Sequence, residues 1–126
     1  MTLRSTFRLL TAAGVLSAWL LPAVVAAQTP PDKKTERTWK ANCASCHGAD
    51  GKGQTEQGAK MGVEDVTAAA WQKARTDEQM KKQILEGMKR EKNGKKQEME
   101  PFKDKLKPEQ VDALVAYVRT LGAGAK

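Results

Sequence analysis

Two cysteines and one histidine stand within five consecutive residues, Cys43 to His47, in the segment CASCH. The chain of 126 residues contains no other cysteine and no other histidine. Side chains three and four residues apart lie on the same side of a helix. On helical backbone, Cys43, Cys46 and His47 therefore project into one small region, and the fold has to be built around that region.

Three kinds of site use a Cys-x-x-Cys pair. A redox disulfide of this spacing normally follows a strand in a βαβ unit, which this sequence does not suggest. A structural zinc ion needs a second pair of ligands, which the sequence lacks. Covalent haem attachment joins both thiols to one porphyrin and needs a histidine directly after the second cysteine. The segment therefore predicts haem c bound by Cys43 and Cys46, with His47 on the iron; a plain disulfide beside an idle His47 is the alternative.

Residues 1–27 have the layout of a secretory signal peptide. Two arginines precede an apolar run over residues 9–25, and small residues stand before Ala27. A retained membrane anchor is the alternative, since the run approaches the roughly 20 apolar residues that a spanning helix needs. Pro22 and the alanine-rich end favour cleavage after Ala27. This interpretation divides the chain into a signal peptide, 1–27, and an exported periplasmic domain, 28–126.

The exported domain is predicted to be all-α with long loops. A first helix over residues 33–44 leads into the CASCH segment, and the glycine-rich stretch 48–62 is predicted to be a loop. A second helix is predicted after Thr76, which forms a capping box with Gln79. The apolar face of this helix comprises Met80, Ile84, Leu85 and Met88.

A third helix near the C-terminus is the clearest element. Pro108 suits its first turn, Gly122 suits its end, and one apolar stripe comprises Val111, Leu114, Val115, Val118 and Leu121. Before it, Asn93 and Gly94 are typical of a turn in a highly charged stretch, and no strand is predicted. A core of about 100 residues with so few large apolar side chains is expected to need an added stabiliser.

Beyond CASCH, the sequence has Trp39 four residues before Cys43, and then CHGADGKG, GVEDVTAAAW, ILEGM, MEPFKDKL and VDALVAYVR. In this combination the chain resembles the bacterial class I cytochromes c that carry one haem. The resemblance implies a small all-α fold of about three to five helices around one covalently attached haem, with the first and last helices crossing. It also implies a one-electron carrier that is not an enzyme, and a methionine from a late loop as the sixth iron ligand.

Four methionines follow the CASCH segment: Met61, Met80, Met88 and Met99. Met80 and Met88 are predicted to be core residues of the second helix. Met61 stands only 14 residues beyond His47, a short loop for passing the porphyrin and reaching its other face. Met99 lies in an irregular stretch before the last helix, where the resembling family places its ligand, so Met99 is the predicted sixth ligand.

The chain departs from that family at two positions. Thr35 stands where many members have Gly at the helix crossing, and a looser crossing is expected. Ala59 stands where many have Pro, and its carbonyl is expected to accept the ring N–H of His47. Trp71 is predicted either to donate to a haem propionate or simply to pack. Burial of the haem is expected from Ile84, Leu85, Leu106 and Val118.

The stretch from Lys89 to Lys107 has eight Lys or Arg and four Asp or Glu, and it brackets Met99. Our hypothesis is that these lysines steer acidic redox partners; an ordinary solvated face is the alternative. We expect no nucleic-acid partner, at most weak contact with a membrane surface, and a monomer. The rivals to a free carrier are a dehydrogenase subunit and, if the methionine bond is weak, a haem enzyme acting on peroxide or small gases.

Overall fold

The computed structural model describes residues 32–124, so the predicted signal peptide lies outside the described residues. Within that range the chain forms six helical segments and two strands. In chain order these are α1 Lys33–Asn42, α2 Ala44–His47, α3 Glu56–Met61, α4 Ala69–Ala74, α5 Asp77–Glu86, β1 Met88–Lys92, β2 Lys95–Met99 and α6 Pro108–Gly124. The fold is that of a mostly helical domain with one small two-stranded sheet.

The first helix begins at a side-chain cap. Asp32 accepts hydrogen bonds from the backbone N–H of Thr35 at 2.8 Å and from its hydroxyl at 3.0 Å. The predicted helix over 33–44 is confirmed as far as Asn42, where α1 ends. A turn at Cys43 then leads into α2, so the CASCH segment consists of this turn and the short helix α2 and is not part of α1.

The core lies where α6 packs against α1 and α5. The rings of Trp39 and Tyr117 are 5.5 Å apart at this crossing, and Thr35 is buried in it with 7% of its surface exposed. The predicted stripe of α6 is confirmed. The buried apolar residues are Trp39, Val66, Met80, Phe102, Leu106, Val111, Leu114, Val115, Tyr117 and Val118.

Gly122 does not end the last helix, contrary to the sequence prediction, because α6 continues to Gly124. A Cβ atom at Gly122 would lie 2.6 Å from the side-chain amide of Gln72. The residue is therefore needed for the close approach of α4 to α6, not for a helix stop. The described part of the chain contains no helix long and apolar enough to span a membrane.

The charged stretch after α5 forms an antiparallel β-hairpin, which corrects the prediction that no strand is present. Asn93 and Gly94 form its two-residue turn with φ angles of 54° and 72°, the backbone that type I′ turns require. The turn is confirmed, but the strands are almost entirely polar and lack the apolar alternation that predicts strands. Met88 begins β1 rather than belonging to the helix, because α5 ends at Glu86 with Gly87 as its C-cap.

The stretch 48–62, predicted to be a loop, contains the short helix α3. Thr55 caps it by accepting from the N–H of Gly58 at 2.8 Å. A Cβ atom at Gly58 would collide with the carbonyl oxygens of Gly53 and Cys46. This close approach brings α3 against α2, which places both helices at the wall of the site described next.

Candidate functional site

Cys43, Cys46 and His47 meet at the wall of a cavity of about 670 Å³. The other walls come from α3, α4, α5 and the hairpin. A smaller recess of about 60 Å³ adjoins it. The residues that line both spaces are Cys43, His47, Val66, Trp71, Gln83 and Met99.

Local hydrogen bonds fix the backbone of the CASCH segment. The N–H of Cys43 donates to Trp39 at 2.8 Å, and the N–H of His47 donates to the carbonyl of Cys43 at 2.9 Å. The hydroxyl of Thr55 donates to the carbonyls of Ser45 and Cys46, at 2.8 and 3.1 Å. The backbone groups are therefore satisfied locally, and the side chains remain available to the cavity. Both cysteines are free thiols in this structure.

Burial keeps the thiol and the imidazole neutral. It raises the pKa of the Cys43 thiol to about 11, with a smaller contribution from neighbouring Cys46. Burial also lowers the pKa of His47. The neutral imidazole is the form that binds a metal ion. The ring of His47 packs 5.7 Å from the ring of Trp39, whose own N–H donates to Gly48 at 3.0 Å.

The expected hydrogen bond between His47 and Ala59 is not present. The Nδ1 atom of His47 is buried without a hydrogen-bond partner in the described chain. The carbonyl of Ala59 accepts instead from the Nζ of Lys95 at 2.7 Å, because the hairpin folds over α3. A buried polar atom without a partner costs about 1–3 kcal/mol, and within the described chain Nδ1 of His47 carries this cost.

Met99 reaches both the cavity and the recess, beside Cys43 and His47. Its sulfur lies 3.8 Å from Nε2 of Gln83, and the sulfur of Met88 lies 4.0 Å from the same atom. Met88 lines the cavity but not the recess, whereas Met80 lines only the recess and is 5% exposed. The prediction that Met80 is a core residue is confirmed.

Met61 and Met88, neither of which is the predicted ligand, both line the larger cavity. Met61 packs beside Gln57, whose Nε2 lies 3.3 Å from its sulfur. Met88 stands directly opposite Met99 in the hairpin ladder. Met99 therefore lines both spaces together with Cys43 and His47, whereas Met61 and Met88 share only the larger cavity with them.

Backbone hydrogen bonds hold the segment of the chain that follows β2. The N–H groups of Phe102 and Lys103 donate to the carbonyls of Ile84 and Leu85, at 3.0 and 3.2 Å. These carbonyls belong to the last turn of α5 and have no partner within the helix. The chain that follows Met99 is thereby tied to α5, whose Gln83 faces the methionine sulfur.

A charged cluster lies at the rim of the cavity. The carboxylate of Glu64 binds Arg75 at 2.9 Å, Arg90 at 3.0 Å and Lys92 at 2.6 Å. The hydrogen bond from Lys92, followed by those of Arg90 and the charge of Arg75, lowers the pKa of Glu64. Arg75 and Arg90 line the cavity, and guanidinium groups are suited to bind the carboxylates of a porphyrin. The guanidinium of Arg75 also lies 4.6 Å above the ring of Trp71.

The apolar lining differs in part from the expectation. Ile84 and Val118 line the recess as predicted, whereas Leu85 and Leu106 pack in the core and line neither space. The lining residues that sequence reasoning missed are Val66, Gln83, Leu114 and Val115. Gln83 lies three residues after Met80 on the inner face of α5, so helical spacing was the signal that could have found it.

Two thiols, a half-buried neutral imidazole and a thioether at one large cavity fit a haem group. The thiols suit covalent attachment and the nitrogen and sulfur donors suit iron. The guanidinium groups of Arg75 and Arg90 suit the porphyrin carboxylates. The geometry of this structure therefore fits the cofactor that the sequence predicts.

Comparison with known proteins agrees with this assignment. The family model for cytochrome c matches residues 33–122. The subunit FixP of the cbb3-type cytochrome c oxidase of Azorhizobium caulinodans is 34% identical over 96 residues, which cover 76% of this chain and 29% of that protein. FixP of Rhizobium meliloti (strain 1021) is 35% identical over 83 residues, covering 66% of this chain and 25% of that protein.

The solved structure of the KustC0563 c-type cytochrome has a similar fold. It is 36% identical, with a TM-score of 0.57, over 69% of this chain and 95% of that one. The chain thus spans less than a third of the length of the curated relatives and nearly all of a solved single-domain cytochrome. The chain belongs to the cytochrome c family, whose members carry covalently attached haem c and perform haem-based electron transfer.

Proposed function

We propose that the chain is a periplasmic one-electron carrier with one haem c. Cys43 and Cys46 are assigned to the thioether links, and His47 and Met99 to the two axial iron positions. The observation that carries this proposal is the meeting of these four side chains at one cavity large enough for a porphyrin. When bound there, haem supplies a one-electron couple between Fe²⁺ and Fe³⁺.

The residues of the chain would bind the iron, fill its sixth position and bury the haem. The neutral imidazole of His47 is ready to bind iron, and a thioether from Met99 favours the ferrous state. With haem bound, Met99 would also fill the sixth position of the iron and so would exclude peroxide and small gases. The apolar recess around Val118 and Leu114 raises the potential further, because a low-dielectric surrounding disfavours the extra positive charge of ferric iron.

The test of this function is electrochemical. We expect the reduced and oxidised holoprotein to interconvert in one reversible one-electron wave, and the ferrous protein to bind carbon monoxide only weakly. Ready binding of carbon monoxide together with peroxide turnover would instead support the alternative that the protein is a haem enzyme. It would contradict the proposal of an electron carrier whose methionine is firmly bound to the iron.

The similarity to FixP suggests a class of electron acceptor. Those relatives are named as subunits of cbb3-type oxidases, and this chain matches only a fraction of their length. A terminal oxidase of that kind is accordingly our candidate acceptor. Export with cleavage after Ala27 remains part of the proposal, and an intact holoprotein beginning at Gln28 is the expected product.

Ion pairs within the domain reduce the number of basic residues that are available to attract an acidic partner. Within the described chain, Lys89 pairs with Glu98, Lys105 pairs with Glu100, and Arg90 and Lys92 are held by Glu64. The exposed lysines of this stretch that form no ion pair in residues 32–124 are Lys95, Lys96, Lys103 and Lys107, and of these Lys95 donates to the carbonyl of Ala59, which leaves Lys96, Lys103 and Lys107. We therefore propose these three as the charges that attract acidic redox partners.

Ionic strength tests this steering. The oxidation rate of the ferrous protein by ferricyanide, a small anion, is expected to fall several-fold between low salt and about 0.2 M salt, because salt screens attraction beyond about 10 Å. A Lys103→Gln, Lys107→Gln variant should react more slowly at low salt and show a shallower slope. The matched control is Lys60→Gln, whose charge is already paired with Glu56. A rate independent of salt would exclude steering.

A further inference from the structure

The hairpin formed by β1 and β2 has two unlike faces. Cross-strand partners are Met88 with Met99, Arg90 with Gln97 and Lys92 with Lys95, so these six side chains share one face. That face is turned toward the rest of the domain, and we call it the inner face. The outer face comprises Lys89, Glu91, Lys96 and Glu98, which are all exposed.

Every residue of the inner face has a polar contact with another part of the domain or with its cross-strand partner. At the open end, Met88 and Met99 meet Gln83 of α5. In the middle of β1, Arg90 and Lys92 bind the carboxylate of Glu64. The hairpin is therefore fastened by hydrogen bonds and ion pairs rather than by an apolar face.

On β2, the residue that connects the hairpin to the rest of the domain is Gln97. Its Nε2 donates to the carbonyl of Gly62, and its Oε1 accepts from Nε of Arg90 at 2.6 Å. Only 6% of Gln97 is exposed, so both halves of its amide depend on these partners. Gly62 is left-handed with φ 61°, and a Cβ atom there would lie 3.0 Å from the Lys95 side chain. The close approach of β2 to the end of α3 thus needs a glycine.

Gln97 stands two residues before Met99 on the same face of β2. An isolated two-stranded hairpin is marginally stable in water, so its anchors decide where its last residue lies. The outer face supplies no such anchor, since its Lys89–Glu98 pair lies within the hairpin itself. Backbone hydrogen bonds to α5 hold the chain after Met99, and on the hairpin side the position of the Met99 sulfur depends on Gln97 and Glu64.

We propose that Gln97 and Glu64 are positioning residues for iron ligation, which hold the inner face of the hairpin against residues 59–64 and thereby keep Met99 at the sixth position. The proposal rests on the proposed function, in which Met99 is an axial ligand. It assigns the charged hairpin a second task besides presenting lysines to partners.

Imidazole added to the ferric holoprotein tests this role, because it competes with the methionine for iron. We expect Gln97→Ala and Glu64→Gln to bind imidazole about threefold to tenfold more tightly than the parent protein, as the loss of one hydrogen bond predicts. Gln97→Glu keeps the acceptor for Arg90 but loses the donor to Gly62, so its affinity should lie between. Two independent anchors keep the test informative if one variant folds poorly.

Two controls separate positioning from general stability. Glu91→Gln alters only the outer face, at a residue that lines neither space, and should leave imidazole affinity unchanged. Asp32→Ala removes the cap of α1 and should lower the free energy of unfolding by about 1 kcal/mol without tightening imidazole binding.

The outcomes distinguish the proposal from the function on which it rests. Met99→Ala should tighten imidazole binding far more than any anchor variant. If it does so while Gln97→Ala and Glu64→Gln bind like the parent, the positioning role is overturned and the ligand assignment stands. If Met99→Ala itself binds like the parent, Met99 is not the ligand and both are overturned.

Discussion

Replacing Met99 by Ala is expected to open the sixth iron position. The ferric holoprotein should lose the weak long-wavelength absorption band of methionine ligation, and the ferrous protein should bind carbon monoxide readily. The reduction potential should fall by on the order of 0.1 V or more, since axial ligands set haem potentials across a range of about 0.8 V. Haem content should stay unchanged, because Cys43 and Cys46 hold the ring. Absorption spectra and voltammetry of the purified variant measure all three effects.

Met88→Ala is the matched control for that variant. Met88 is the cross-strand partner of Met99, and both sulfurs lie about equally far from Gln83, at 4.0 and 3.8 Å. Truncating it removes the same side chain one strand away. We expect the band and the potential to be retained. Loss of the band in Met88→Ala, with its retention in Met99→Ala, would reverse the ligand assignment.

Gly87→Ala is expected to damage the site without touching a ligand. Gly87 has φ 73° and ψ −169°, a conformation that is essentially restricted to glycine. A Cβ atom there would collide with the carbonyl oxygen of Met99 and lie 2.8 Å from the nitrogen of Pro101. Backbone strain and overpacking together should lower the free energy of unfolding by about 2–5 kcal/mol. Denaturant unfolding followed by circular dichroism measures the loss.

Gly94→Ala separates strain from collision. Gly94 has nearly the same φ, 72°, but nothing lies within 4 Å of a Cβ atom built there. Its replacement should cost only the strain of a left-handed residue, about 1–2 kcal/mol, and should leave methionine ligation intact. Equal effects of the two substitutions on stability and on the methionine band would refute the argument from close packing at Gly87.

The elements that could be predicted from sequence are those specified by neighbouring residues. Asp32 caps α1, Thr76 and Gln79 form the capping box of α5, and the apolar stripe of α6 is buried. Each of these signals acts over a few residues. The hairpin could not be predicted because its strands are stabilised by ion pairs to Glu64, more than 20 residues earlier, and not by an apolar alternation.

The residues of the candidate site also fall into two groups, those that the local sequence specifies and those that it does not. The three motif residues follow from their spacing, and Met99 follows from resemblance to a family. Glu64, Gln83 and Gln97 have no local signature, since a polar residue in a charged or helical stretch is ordinarily solvent-exposed. Their contacts to the hairpin, to Met99 and to Gly62 arise only when distant segments meet. The predicted hydrogen bond from His47 to the carbonyl of Ala59 was wrong for that reason, because this carbonyl accepts from Lys95 of the hairpin instead.

Mass spectrometry of the holoprotein after trypsin digestion tests the covalent haem site most directly. Cleavage after Lys40 and Lys52 releases a peptide of residues 41–52 that contains both thiols and the imidazole. We predict that this peptide carries the mass of one haem, and that a Cys43→Ser, Cys46→Ser variant yields it unmodified. Recovery of the parent peptide without that added mass, from protein matured in a host that attaches haem, would contradict the account.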